Sequence, residues 1–432
     1  MGAMKVQLPA RSLGTGGPRI TEVGFGAQGI GGRGYGYGAN PQGDADSVVA
    51  IKHAVERGVN WVDTAAGYGL GHSEEVVGRA VREIPAGDRP LVFTKGGIRW
   101  FDDDPRREPV RDLRPESIRR GVEASLRRLG VDHIDLYQLH WPDEIGTPVE
   151  ESWGEMARLV GEGKVRLAGV ANFGVGLLER AERVRHVDSL QTPFCVVSRE
   201  AGAELIGWAR RNGTGVIVYS PIQSGLLTGR FSREELANLD DRRRQDPEYL
   251  EHNLTRTLAL VEELRTIAAR HGATLPELAV AWTLSWPGVT GAVVSGSRSP
   301  EQVDGWVKAP FHPLTPHDLD DVAQALTATS AGRGPARPPS SATRPQLVAR
   351  YYVRPTRRTP GGGPAGVPGV SPNCMSRAAA VCPGRRGSSA RRGSLGRRPW
   401  LPVVGTVVGQ RQPRLSSRSR HCGALVTHPM GH

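Results

Sequence analysis

Eight short runs rich in Val, Ile and Leu recur along the chain at residues 23–25, 61–64, 91–94, 134–139, 167–171, 189–191, 216–219 and 292–294. Segments of helical spacing separate them. Strands and helices in alternation make βαβ units and a parallel sheet. In the linking segments Val48, Ile51 and Val55, or Ile118, Val122 and Leu126, step by three and four residues and turn one apolar stripe toward that sheet. Thr147, Thr274 and Ser299 each stand three residues before a Glu or Gln, the spacing of a helix capping box. Eight repeats fit a closed (β/α)8 TIM barrel better than an open sheet, since such a barrel takes about 250 residues plus insertions. The interval between the last two strands is the irregular one. It holds a polar insertion (residues 231–253) and helices over 258–270 and 276–285, and a final helix over 318–326 closes the body.

Charge divides the 432-residue chain in two. Residues 331–432 contain 18 Arg and no Lys, Asp or Glu, which leaves residues 1–330 with 38 basic and 44 acidic side chains, a net of −6. A basic footprint for nucleic acid must sit on the folded surface that makes the contact, so residues 1–330 read as an enzyme body rather than a nucleic-acid binder. The Gly, Pro, Ser and Arg of residues 331–432 cannot bury enough apolar surface to offset chain ordering, and a disordered C-terminal tail is expected there. Two readings of the tail stay open: electrostatic attraction to a polyanion, or translation past a shifted frame of a GC-rich gene, the favoured one.

One cysteine, Cys195, lies in the body, and no Cys/His zinc spacing or disulfide framework is present. No run approaches the roughly 20 apolar residues that span a bilayer, and the N-terminus lacks a secretory pattern. The expectation is a cytoplasmic protein with no metal and no membrane partner.

Four polar residues stand at or just beyond consecutive strand ends: Asp63 and Tyr68 after the second strand, Lys95 after the third, His140 after the fourth. In a barrel those ends converge on one face, where active sites of this architecture lie. A phenol has a pKa near 10, too high for acid–base work at neutral pH, but a nearby ammonium favours the phenolate and brings it toward the working range. Asp63 is placed to hold Lys95, and His140 to donate a hydrogen bond to a carbonyl oxygen. The set suits delivery of one proton to an oxygen.

The segment Val62-Asp63-Thr64-Ala65-Ala66-Gly67-Tyr68-Gly69 with Ser73-Glu74, then Thr94-Lys95, then Leu139-His140, resembles the aldo-keto reductase superfamily. The resemblance spans about residues 24–307. It continues in order through Gly169-Val170-Ala171-Asn172-Phe173, Gln191, Val218-Tyr219-Ser220-Pro221, Gly225-Leu226-Leu227-Thr228-Gly229 and Gly296-Ser297-Arg298-Ser299-Pro300-Glu301-Gln302. It implies an NADPH-dependent oxidoreductase that reduces an aldehyde or ketone to an alcohol, with Tyr68 as proton donor assisted by Lys95, Asp63 and His140. By the same resemblance Asn172 and Gln191 bind the nicotinamide carboxamide, and Tyr219 stacks on its ring. Ser220, Pro221, Gly225 and Leu226 run along the pyrophosphate, Ser297 and Arg298 meet the adenosine 2′-phosphate, and Gly296 and Gln302 are further cofactor-binding positions. Two positions depart from the family pattern: Ala171 stands where Ser is frequent, which removes one carboxamide hydrogen bond, and Trp306 stands where an adenine-contacting Asn is frequent.

The residues also carry other readings. Gly24-x-Gly26-x-x-Gly29 matches a dinucleotide fingerprint, but residues 29–38 hold six glycines and cannot open the helix which that motif needs. With Tyr35 and Tyr37 these glycines read instead as a mobile loop at the barrel mouth. Trp100, Phe101 and Trp141 follow strand ends and are candidates to line a substrate pocket, or plain packing. The alternative function is a sensor or regulatory subunit that binds nicotinamide cofactor with little turnover, against which the intact Asp63, Tyr68, Lys95 and His140 argue. The substrate and the oligomeric state leave no signature in the sequence.

Overall fold

The computed structural model describes residues 7–30, 41–101, 109–238 and 246–338. Most of the expected glycine-rich mouth loop, and the expected disordered tail from residue 339 onward, lie outside these residues. A hairpin opens the chain, β1 (Ala10–Ser12) against β2 (Arg19–Thr21). There follow β3 (Val23–Gly26), β4 (Trp61–Asp63), β5 (Leu91–Gly96), a short antiparallel pair β6 (Ile98–Arg99) and β7 (Val110–Arg111), then β8 (Ile134–Leu139), β9 (Val165–Ala171), β10 (Ser189–Pro193), β11 (Gly215–Tyr219) and β12 (Val289–Ser295). Eight of these, β3, β4, β5 and β8 to β12, pair in parallel and close, with β12 beside β3. Every expected strand is present, so the (β/α)8 barrel read from the sequence is the fold.

The helices are α1 (Pro41–Glu56), α2 (His72–Glu83), α3 (Pro115–Leu129), α4 (Val149–Gly161), α5 (Val175–Val184), α6 (Leu205–Asn212), α7 (Arg233–Asn238), α8 (Glu251–Arg270), α9 (Leu275–Leu284), α10 (Pro300–Asp304) and α11 (Pro316–Thr329). The expected stripes face inward: Val48, Ile51, Val55, Ile118 and Val122 are buried between helix and sheet. Thr274 makes a full capping box with Glu277, and Ser299 accepts from the Gln302 N–H. Thr147 does not cap. The Asp143 carboxylate collects the backbone N–H groups of Leu113, Ile145 and Thr147, and the loop it gathers delays α4 to Val149 behind Pro148.

Alternation along each strand puts one set of side chains inside the barrel. Trp61, Phe93, Leu136, Ile217 and Val293 fill the interior, and Leu13 and Ile20 from the hairpin end pack against them as a floor. Trp61 is fixed there by its indole N–H, which donates to Thr21 O at 2.8 Å. Gly24 permits this, because a Cβ there would lie 2.1 Å from the Trp61 ring.

The composition change at residue 331 and the end of packing do not coincide. Ala331 is buried, Arg199 N donates to Arg333 O, Arg333 N donates to Val197 O, and the Arg199 guanidinium reaches the Ala331 and Gly334 carbonyls. A buried guanidinium needs acceptors, and main-chain carbonyls supply them whatever the side chains are.

Gly24→Ala is expected to lower stability by about 1–3 kcal/mol, because the rigid Trp61 ring cannot yield without breaking its bond to the hairpin. Urea unfolding of both proteins checks this, and an unchanged midpoint would show that the floor can shift.

Candidate active site

All eight parallel strands point their C-terminal ends to one rim, and the residues singled out in the sequence sit there in order. Asp63 ends β4, Lys95 stands near the end of β5, His140 follows β8, Asn172 follows β9, Gln191 lies in β10 and Tyr219 ends β11. The rest of the set continues beyond β11 (Ser220, Pro221, Gly225, Leu226) and β12 (Gly296, Ser297, Arg298, Gln302).

Tyr68 reaches the rim through a loop pinned at both ends. Thr64 N donates to Phe93 O and Ala66 N to Lys95 O, so the loop runs along β5 before turning back. Gly69, Leu70 and Gly71 are then all left-handed, with φ of 62°, 53° and 99°, and glycine takes two of those positions at little cost. The Ser73 and Glu74 side chains lock the turn from behind. Ser73 Oγ donates to Ala27 O and pairs with Thr64 Oγ1, while the fully buried Glu74 accepts from Thr94 Oγ1 at 2.6 Å and from Arg128 Nε at 2.7 Å.

Lys95 is 1 % exposed and its ammonium donates to Asp63 Oδ1 and, at 2.9 Å, to Thr64 O. Asp63 Oδ2 accepts from Gln191 Nε2 at 2.9 Å, so both carboxylate oxygens are held. Burial pushes the Lys95 ammonium below the usual lysine range, and the nearby Asp63 and Glu74 charges work against that push. The Lys95 nitrogen lies 5.3 Å from the Tyr68 ring centre. The His140 ring stands edge-on to Tyr68 at 5.6 Å and 82°. Burial, then the Lys95 and Arg111 charges, drive the His140 pKa well below 6.5, and the imidazole stays neutral at pH 7.

On the far side of the rim, Asn172 bridges two strands. Its Nδ2 donates to His140 O at 3.0 Å and its Oδ1 accepts from Tyr219 Oη at 2.8 Å, geometry that its left-handed φ of 65° allows. Gln191 thus has one of its two amide hydrogens committed to Asp63 and keeps its carbonyl oxygen as an acceptor. Beyond β12, Ser297 is buried and accepts from the Trp306 indole at 2.9 Å, and Gln302 Oε1 folds back onto the Arg298 N–H at 2.6 Å. The Trp306 departure therefore fastens Ser297 in place, while the Arg298 guanidinium is exposed with no ion pair among the described residues. Leu226 is fully buried.

Sequence reasoning missed the Gln191 to Asp63 bond, the Trp306 to Ser297 bond and the Arg111 charge near His140, because each depends on how separate elements are placed in space and not on local spacing. Ser73-Glu74 was in plain view as part of the motif, but its anchoring role appears only once Thr94 and Arg128 are placed. Of the candidate pocket aromatics, Trp141 stacks beside the His140 ring at 6.3 Å and carries the Arg111 guanidinium 4.6 Å from its centre; Arg99 lies 4.7 Å from the Phe101 ring centre. Among the described residues no group of three or more His, Cys, Asp or Glu is placed to hold a metal ion, and no helix is long and apolar enough to cross a membrane.

The neutral His140 has a thermodynamic consequence. Its folded pKa is depressed, so below about pH 6.5 the unfolded chain takes up a proton there that the folded chain does not, and stability falls by up to about 1.4 kcal/mol per pH unit. His140→Gln is expected to show a shallower loss between about pH 6.5 and pH 5, measured by urea unfolding at both values. Parallel losses in the two proteins would mean that the folded state also protonates His140.

The aldo/keto reductase family model matches residues 22–327. The chain is 34 % identical over 302 residues to the NADH-specific methylglyoxal reductase of Escherichia coli (strain K12), covering 67 % of this chain and 90 % of that one. It is 32 % identical over 314 residues to the aldo-keto reductase YhdN of Bacillus subtilis (strain 168), covering 72 % and 92 %. The solved glycerol dehydrogenase AKR11B4 of Gluconobacter oxydans superposes with a TM-score of 0.69 at 35 % identity, covering 76 % of this chain and 97 % of that one. The barrel and the order of the motifs had pointed the same way, and with these matches the chain belongs to the aldo/keto reductase family, oxidoreductases of small-molecule carbonyls.

Proposed function

We propose that the protein reduces the carbonyl of an aldehyde or ketone to an alcohol, with NADPH as reductant and Tyr68 as proton donor. The observation that carries this reading is the buried Lys95–Asp63 pair set 5.3 Å from the Tyr68 ring, with a neutral imidazole edge-on to the same ring. A reduced nicotinamide, when bound, supplies a hydride to the carbonyl carbon. Tyr68 gives its hydroxyl proton to the carbonyl oxygen, and the Lys95 ammonium favours the phenolate left behind. Asp63 keeps that ammonium charged and in place against its burial. His140, being neutral, donates a hydrogen bond to the carbonyl oxygen and orients it without bringing a second cation into the site. Tyr68 is partly exposed, so solvent restores its proton.

The residues present fit a nicotinamide dinucleotide. Asn172 and the free oxygen of Gln191 suit the carboxamide, the Tyr219 ring the nicotinamide face, and the turned backbone of Ser220, Pro221, Gly225 and Leu226 the pyrophosphate. Gly296, Ser297, Arg298 and Gln302 form the far end, where an exposed guanidinium with no ion pair among the described residues suits an additional phosphate. That supports NADPH, although the E. coli relative is named NADH-specific. The names of two relatives make methylglyoxal, in the reducing direction, and glycerol, in the oxidising direction, the first compounds to assay. The cytoplasm is the compartment we propose, consistent with Cys195 as a buried free thiol.

Loss of absorbance of the reduced cofactor with a panel of carbonyls tests the reading; tight cofactor binding with no turnover would favour the sensor. Tyr68→Phe is expected to remove most turnover, by about 10²-fold or more, while the cofactor still binds, since only the proton donor is lost. Wild-type turnover in that variant defeats the assignment. Arg298→Ala is expected to weaken NADPH by about tenfold or more and to leave NADH nearly unchanged, as one charge-assisted contact is lost. Equal effects in fluorescence titrations of both cofactors would place the phosphate elsewhere.

A further inference from the structure

The segment after β11 is the most strained stretch of backbone described. Ser220, Gln223 and Ser224 all adopt left-handed φ of 57°, 44° and 49°, and Gly225 follows at 106°. L-residues avoid this region, and such strain persists only where the surroundings over-determine it. Two groups from outside the segment reach its apex. Tyr249 Oη lies 3.1 Å from Gln223 O and 3.0 Å from Ser224 O, so one phenolic proton is shared between consecutive carbonyls. From the barrel side the Cys195 thiol donates to Gln223 Oε1 at 3.3 Å. Burial pushes that thiol up to about 12, so it remains a donor.

Tyr249 is itself rigidly placed. It is 1 % exposed on the short turn Pro247–Tyr249, which the Asp246 side chain caps through the Glu248 N–H, and Phe231 meets its ring edge-on at 5.2 Å. Leu226 and Leu254 complete that cluster. A C=O and the N–H of the same peptide unit point in opposite directions. By fixing the Gln223 and Ser224 carbonyls, Tyr249 therefore also fixes the directions of the Ser224 and Gly225 N–H groups, the second of which closes the turn onto Ile222 O at 3.1 Å.

We propose that Tyr249, although it lies in the insertion and outside the site, is a positioning residue for the dinucleotide: its hydroxyl holds the Gln223 and Ser224 carbonyls and so keeps the strained segment in the shape that receives the pyrophosphate. This rests on the cofactor reading above. The strain is the reason a clamp is required, and the buried hydroxyl is the clamp.

The test compares wild type and Tyr249→Phe by fluorescence titration with reduced dinucleotide and with reduced nicotinamide mononucleotide, which lacks the second phosphate and the adenosine. The expected result is a rise in dinucleotide Kd of about tenfold, unchanged mononucleotide binding, and kcat retained at saturating dinucleotide. Gln223→Gly with Ser224→Gly in the Tyr249→Phe background is expected to recover much of the dinucleotide affinity, since glycine takes left-handed φ without the clamp. A merely structural Tyr249 would lower the melting temperature, move both ligands alike and show no such rescue, which overturns the proposal. If wild type itself binds no dinucleotide, the cofactor reading falls and this one with it. If wild type binds and Tyr249→Phe binds as tightly, only the role of Tyr249 falls.

Discussion

A lysine ammonium buried at the end of a barrel strand is costly, and the arrangement of the rim follows from meeting that cost. Removing two charges from water costs several kcal/mol per ion even after relaxation, and their attraction offsets it only when the remaining donors and acceptors are satisfied. Here the satisfaction is nearly complete: Asp63 binds Lys95 with one oxygen and Gln191 with the other, and Lys95 also reaches Thr64 O. Four features of the fold, β4, its following loop, β5 and the distant β10, must be in place for this to happen. The pair therefore reads out the integrity of the whole mouth.

The same economy of position explains where the backbone is strained. Among the described residues, the non-glycine positions with left-handed φ are Leu70, Asn172, Ser220, Gln223, Ser224 and Ser330, and all but Ser330 follow the C-terminal ends of barrel strands. Strain of this kind gathers where side chains must be aimed rather than merely packed. Four of these six have a restraint nearby: Glu74 and Ser73 behind the loop that carries Leu70, His140 O and Tyr219 around Asn172, and Tyr249 with Cys195 around Gln223 and Ser224. At the opposite end Leu13, Ile20 and Trp61 close the barrel by apolar contact, with the Trp61 indole N–H held by Thr21 O.

The two ends of the barrel were not equally legible. Period and alternation identified all eight strands, since a strand buried on both faces writes itself as an apolar run whatever its partner. Helix boundaries were less secure. Thr147 had the spacing of a cap, but a carboxylate four residues earlier, Asp143, claimed the local backbone, and competition among nearby polar groups is not visible in spacing. Packing runs past the composition change at residue 331 for a related reason: the Arg199 guanidinium binds the carbonyls of Ala331 and Gly334, and carbonyls carry no composition.

The sequence by itself determined the barrel, the order in which Asp63, Tyr68, Lys95, His140, Asn172, Gln191 and Tyr219 meet its rim, and the family to which that order belongs. These are consequences of local periodicity and of residue identity at strand ends, and parallel closure then leaves no choice about which end they share. Only the tertiary structure decided that Gln191 donates one amide hydrogen to Asp63, that Trp306 fastens Ser297, that the Lys95 and Arg111 charges help keep His140 neutral, and that Tyr249 reaches back to the segment after β11. Each of those depends on a distance of a few ångströms between residues separated by up to 128 positions in the chain, and hydrogen bonding and Coulomb energy respond to that distance rather than to separation in sequence.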